Sequence, residues 1–135
     1  MTAGYSGTPL ARKLSLKDGM RVWFLDMPDS VRKEIEDYDL TLSEEKLPTP
    51  GLHAAHIFVH QRATMAKHLV ILREMIDPAG QVWVSWPKKA SGVETDITED
   101  TIRQVALPLG FVDIKVCAVD AVWSGLKLVI RKEFR

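Results

Sequence analysis

Leu72-Arg73-Glu74-Met75-Ile76-Asp77-Pro78-Ala79-Gly80-Gln81-Val82-Trp83-Val84-Ser85-Trp86 is the stretch whose reading decides the fold. Upstream of its turn, Met65, Leu69, Leu72 and Ile76 step by four, three and four residues, which places them on one stripe of an amphipathic helix. Asp77, Pro78 and Gly80 stand where a type I turn wants them, and Gln81 to Trp86 reads as the strand that follows. A helix running through a Pro-Gly turn into an apolar strand is one step of a helix-on-sheet layer.

The same step recurs on both sides. Before it, Ala54 to Val59 (AAHIFV) and Met20 to Leu25 (MRVWFL, broken only by Arg21) are apolar runs bounded by turn residues, the pattern of strands buried on both faces. Between them Pro28, Asp29 and Ser30 open a helix with Val31, Ile35 and Tyr38 on one stripe, and Asp39 to Ser43 is expected as a short strand. Thr8 and Pro9 cap a short helix reaching about Leu16. Beyond the deciding stretch, Thr98 caps a helix carrying Ile102, Val105, Ala106 and Leu109, ended by Pro108 and Gly110. Phe111 to Val119 and Leu126 to Arg131 form a closing hairpin through Asp120 to Gly125. The expected fold is therefore α/β: a mostly parallel sheet, helices on both faces, and a C-terminal antiparallel hairpin.

The chain has 135 residues and 15.2 kDa, with 18 basic and 18 acidic residues and one cysteine. That length supports one core, and no linker, repeat or charge segregation divides it, so residues 1–135 are expected as a single domain with 1–18 as an N-terminal helical segment. Zero net charge lacks the footprint of a nucleic-acid binder, no apolar run is long enough to span a membrane, and the start has no apolar leader. A lone Cys117 allows no internal disulfide, which fits a reducing cytoplasm. The acidic stretch from Asp29 to Lys46 reads as a solvated face.

The order of elements resembles a shortened Rossmann-like methyltransferase fold in three places: LSLKDGMRVWFLD (14–26), LREMIDPAGQVWVSW (72–86), and LGFVDIKV (109–116) with GLKLVIRK (125–132). More specifically, GYSGTPLARKL (4–14), VSWPKKASG (84–92), TDITED (95–100), ALPLGFVDIKVCAVD (106–120) and WSGLKLV (123–129) resemble a family of short bacterial proteins of unknown function. The resemblance implies a Rossmann-like domain in a bacterial cytoplasm. In active methyltransferases a glycine-rich turn after the first strand lets the backbone approach the cofactor, and an acid ending the second strand holds the ribose. Here the turn reads Leu25-Asp26-Met27-Pro28-Asp29-Ser30, with no glycine, one amide hydrogen removed by Pro28, and two carboxylates. The expected second strand ends in Ser43, with Glu44 next, and the chain runs to Ala54 without a third strand and its helix. These departures speak against S-adenosylmethionine, and no cofactor is assigned.

Common ligand motifs are missing: no G-x-G pair, P-loop, H-E-x-x-H or C-x-x-C occurs. His53, His56 and His60 have ligand-like spacing, but the strand residues between them put His56 and His60 on one face and His53 on the other, so no metal is assigned. Ser85-Trp86-Pro87-Lys88 matches S-x-x-K only formally, since that motif needs a helix. Cys117 is expected as an inert thiol, and Trp23 and Trp83 as core.

Ligands in such sheets bind at the carboxyl ends of the strands. There the sequence gathers Ser85, Trp86, Lys88, Lys89, Ser91, Asp120 and Trp123: two ammonium groups beside Gly92 for an anion, and two tryptophans for a flat ligand. Convergence of these residues is expected if the strands leading into Trp86 and Asp120 are parallel neighbours. The function expected from this reading is a non-catalytic module binding a small anionic ligand or a protein partner at the rim, leaning away from an enzyme. The alternatives are an atypical methyltransferase or another transferase using Lys88, Lys89 and Asp120, or a homo-oligomer joined through the sheet edge that the missing strand uncovers.

Overall fold

The computed structural model describes residues 7–135, and residues 1–6, with the Gly4 to Ser6 part of the family-like start, lie outside the described residues. Ten elements carry the fold: α1 (Leu10–Lys13), β1 (Arg21–Leu25), α2 (Asp29–Glu36), β2 (Ser43–Glu44), β3 (Leu52–Phe58), α3 (Arg62–Met75), β4 (Ile76–Pro87), α4 (Glu99–Ala106), β5 (Phe111–Ala118) and β6 (Trp123–Ile130). The six strands form one sheet in the order β2-β1-β3-β4-β6-β5. The first four are parallel; β4 and β6, and β6 and β5, pair antiparallel. The expected α/β class and closing hairpin are both present.

Alternation along the strands feeds two cores. On one face Leu52, Ala55, Ile57, Val82, Val84 and Trp86 meet Met65, Leu69 and Leu72 of α3 and Ile102 and Ala106 of α4. On the other, Val22, Ala54, Phe58 and Trp83 meet Leu10 and Leu14 beside α1 and Val31 and Ile35 of α2. Trp23 and Trp83 are buried as expected, and Trp83 donates its indole N–H to the Leu14 carbonyl at 3.0 Å.

Local boundaries differ from the sequence reading where hydrogen bonding outweighs apolar pattern. α1 is a single turn: Pro9, not Thr8, is its N-cap, and Ser15 at φ 59° ends it before Leu16. The second strand is Ser43–Glu44 instead of Asp39 to Ser43, because Asp39 turns left-handed at φ 57° and Asp18 accepts the Thr41 N–H at 2.7 Å. The Asp77 to Gly80 turn sits inside β4 as a bulge: Leu52 pairs Ile76 and Ala54 pairs Gln81, and Asp77 Oδ1 accepts the Ala79 N–H at 2.9 Å. Gly80 is required there, since a Cβ would lie 2.9 Å from the His53 carbonyl oxygen. α4 begins as read, with Thr98 Oγ1 accepting the Thr101 N–H, and Gly110 at φ 100° turns the chain into β5. Trp123, expected in the hairpin turn, is the first residue of β6.

Candidate functional site at the carboxyl ends of the strands

The parallel strands β1, β2, β3 and β4 present their carboxyl ends along one rim, which divides into two halves. The first follows β1. Asp26 adopts φ 52°, the left-handed form a glycine takes in such turns, with its side chain exposed. α2 then starts at Asp29 with Pro28 as N-cap, and the Pro28 carbonyl accepts the Val31 and Arg32 N–H groups at 3.1 and 3.0 Å. At the end of β2, Glu44 accepts both guanidinium arms of Arg32, at 2.6 and 3.0 Å, and Arg32 lies 5.6 Å over the Phe24 ring. The pair borders a recess of about 160 Å³ lined by Phe24, Met27, Ile35 and Leu42 among others. The residues here fit an adenosyl group in two respects: Asp26 takes a left-handed conformation that glycine favours, and an acid stands where the second strand ends. They depart from it in Pro28 and Asp29.

The second half is aromatic. Phe58, at the end of β3, meets the Trp123 ring edge-on with centroids 5.1 Å apart, and His60 meets the same ring at 5.1 Å and 71°. The Lys88 N–H donates to the Val122 carbonyl at 2.7 Å, which joins the lysine loop to the hairpin turn. Asp120 Oδ1 accepts the Val122 and Trp123 N–H groups, both at 2.8 Å, so its carboxylate shapes the turn that holds Trp123. Ser91 Oγ likewise donates to the Lys88 carbonyl at 2.6 Å and accepts the Val93 N–H at 3.2 Å. Among the described residues no carboxylate lies within 4.0 Å of Lys88 or Lys89, which leaves two ammonium groups at the rim.

The structure therefore brings Lys88, Lys89, Ser91, Asp120 and Trp123 to one end of the sheet, but for a different reason from the one expected. The strands leading into Trp86 and Asp120 are not neighbours: β6 lies between them, and its antiparallel pairing with both aligns their ends. Two members are set apart. Trp86 packs into the core under α3 and α4, while Trp123 packs on the opposite face, so the tryptophans do not border one concavity. Ser85 is fully buried. Its hydroxyl shares a 2.7 Å hydrogen bond with His56 Nε2 beneath the aromatic group.

His56 was legible only as a residue on the face shared with His60; its partner Ser85 lies 29 positions away, across a strand pair. The His56 ring stacks on Phe58 at 4.3 Å, and burial lowers its pKa to about 3, so it is neutral. His53 Nδ1 accepts the Arg21 N–H at 2.8 Å. Burial pushes the half-buried Cys117 thiol up, offset in part by Lys13 and Lys115, in keeping with an unreactive thiol. Sequence reading missed His60 as the partner of Trp123, because contact between the residues after β3 and a hairpin two strands away has no local signal.

Solved structures share this sheet. PigF with SAH superposes at a TM-score of 0.61 with 10% identity, covering 92% of this chain and 62% of its own. A SAM-dependent methyltransferase from Aquifex aeolicus gives 0.61 and 15%, over 90% of this chain and 88% of its own. Ribosomal protein L11 methylase from Lactobacillus delbrueckii subsp. bulgaricus gives 0.56 and 11%, over 90% and 75%. No protein-family model and no curated protein matches the chain. At these identities the likeness shows the fold: a Rossmann-like, methyltransferase-like sheet. It also corrects the functional expectation. The non-catalytic module, with its lean away from an enzyme, was argued from the altered turn alone, and it does not stand beside solved structures of this fold that are named as methyltransferases.

Proposed function

We propose that this chain is an atypical S-adenosylmethionine-dependent methyltransferase whose sheet is reduced to six strands. The observation that carries the reading is the strand order, with its reversed closing hairpin, on which methyltransferase structures superpose over about 90% of the chain. The cofactor, when bound, supplies an electrophilic methyl group. The β1–α2 turn around Asp26 and the acid Glu44 would hold it; Arg32 has to release or share that carboxylate, and a half-exposed ion pair costs only about 1 kcal/mol to open. On the acceptor side, Trp123 orients a flat substrate, Lys88 and Lys89 neutralise its anionic group, and the exposed His60 ring takes the proton the acceptor loses. Asp120 and Ser91 position the two loops.

The same reading takes the chain as one domain of the bacterial family whose sequence words it resembles, working in the cytoplasm. No helix among the described residues is long and apolar enough to cross a membrane. Self-association through a sheet edge is checked by light scattering at micromolar concentration. The function is tested by thermal denaturation with increasing S-adenosylhomocysteine: the melting temperature is expected to rise with ligand as RT ln(1 + [L]/Kd). A melting temperature unmoved at millimolar ligand would remove the adenosyl reading.

A further inference from the structure

A second charged site lies at the opposite end of the sheet, and the methyl-transfer reading makes no use of it. A groove of about 650 Å³ runs between the end of α1, the chain entering β1 and the β4 bulge, a size within the range of small-molecule sites. Its lining includes the cations Arg12, Lys17 and Lys127 and the apolar or aromatic side chains of Leu16, Met20 and Tyr38. Lys127 extends from β6, half-buried, and donates to Ser15 Oγ at 3.1 Å. Lys115, its neighbour on β5, donates to the Lys13 carbonyl at 3.1 Å. Each ammonium thus has one recorded bond and further donors to spend.

What is missing is a counter-charge. Among the described residues no carboxylate comes within 4.0 Å of Lys17, Lys115 or Lys127, and residues 1–6 contain no Asp or Glu. Asp18, the one carboxylate lining the groove, gives Oδ1 to the Thr41 N–H. Burial, and then the charges of Lys115 and Lys17, lower the Lys127 pKa, as they must for an ammonium gathered among its own kind without an anion. Three cations against one carboxylate leave two positive charges in the lining, which offsets the charge of a phosphate monoester near neutral pH.

We propose that the groove between Arg12, Lys17 and Lys127 binds a small phosphate monoester whose apolar body rests on Leu16, Met20 and Tyr38. The site is separate from the carboxyl rim and independent of the methyl-transfer reading. Phenyl phosphate is the probe, titrated calorimetrically into the whole protein beside inorganic phosphate, benzoate and phenol. Saturable binding of phenyl phosphate is expected, tighter than that of the other three. Lys17→Met and Lys127→Met are each expected to weaken it about fivefold. Lys127 holds Ser15, so its variant also removes a structural bond; Lys17 is exposed and carries no such bond, and its variant decides the question alone. Absence of saturable binding, or an affinity unchanged in Lys17→Met, overturns the proposal. So does loss of binding in Lys88→Ala with Lys89→Ala, which would place the anion at the rim. Inorganic phosphate binding as tightly as phenyl phosphate would overturn the role of Leu16, Met20 and Tyr38.

Discussion

The buried pair His56 and Ser85 shows how much a single contact can decide. A neutral imidazole and a hydroxyl satisfy each other at 2.7 Å where neither meets water, and protonating the ring would place a charge in the core. With His56 lowered to about 3 in the folded chain and near 6.5 unfolded, the unfolded state binds more protons between those values. Stability is therefore full above about pH 6.5 and falls as pH drops toward 3, by up to about 1.4 kcal/mol per pH unit from this group. Urea denaturation between pH 7 and 4 is expected to show a shallower loss for His56→Gln than for the unaltered chain; equal slopes would mean the ring is not held neutral. Asp120 gives a second residue-scale test. Its carboxylate serves two backbone donors, so Asp120→Ala should cost about 1–3 kcal/mol by the same assay. Asp120→Asn, which keeps an acceptor oxygen, should restore most of it. Neither role was legible beforehand: Asp120 was read as a ligand-binding or transferase group because sequence shows its charge but not which amides face it.

At the scale of elements, periodicity carried the reading where one face had to be buried. The helix ending in the deciding stretch, the strands around Val22, Ile57 and Val84, and the cap at Thr98 are where the apolar and capping residues put them. It failed where a polar side chain captured backbone groups, as Asp18 does with Thr41, and where a turn folds into a strand, as Asp77 to Gly80 does within β4. That bulge makes a sharp prediction. A methyl group at position 80 meets the His53 carbonyl and the Asp77 carbonyl at 2.9 and 3.0 Å, both backbone atoms that cannot move aside without breaking the β3–β4 ladder. Gly80→Ala should destabilise by about 1–3 kcal/mol in thermal unfolding, whereas Gly92→Ala, with nothing within 4 Å, should show only the smaller strain of its positive φ.

For the whole molecule, the sheet order explains both the likeness and the departure. Strand order β2-β1-β3-β4-β6-β5 retains the closing reversal, which is why methyltransferase structures superpose, while the edge beyond β2 ends two residues wide. The sequence departures that argued against a cofactor were real at the level of residue type, yet Asp26 takes the left-handed conformation a glycine would, and Glu44 closes β2. Residue type alone could not reveal that Asp26 takes a left-handed backbone conformation. The central claim is that an adenosyl group binds at this turn, and its most direct test is a titration of the ¹⁵N-labelled chain with S-adenosylhomocysteine followed by amide chemical shifts. Saturable changes centred on Asp26 to Ser30, Glu44 and Glu45, extending to His60, are predicted. No saturable change, or changes confined to amides away from the carboxyl rim, would contradict it.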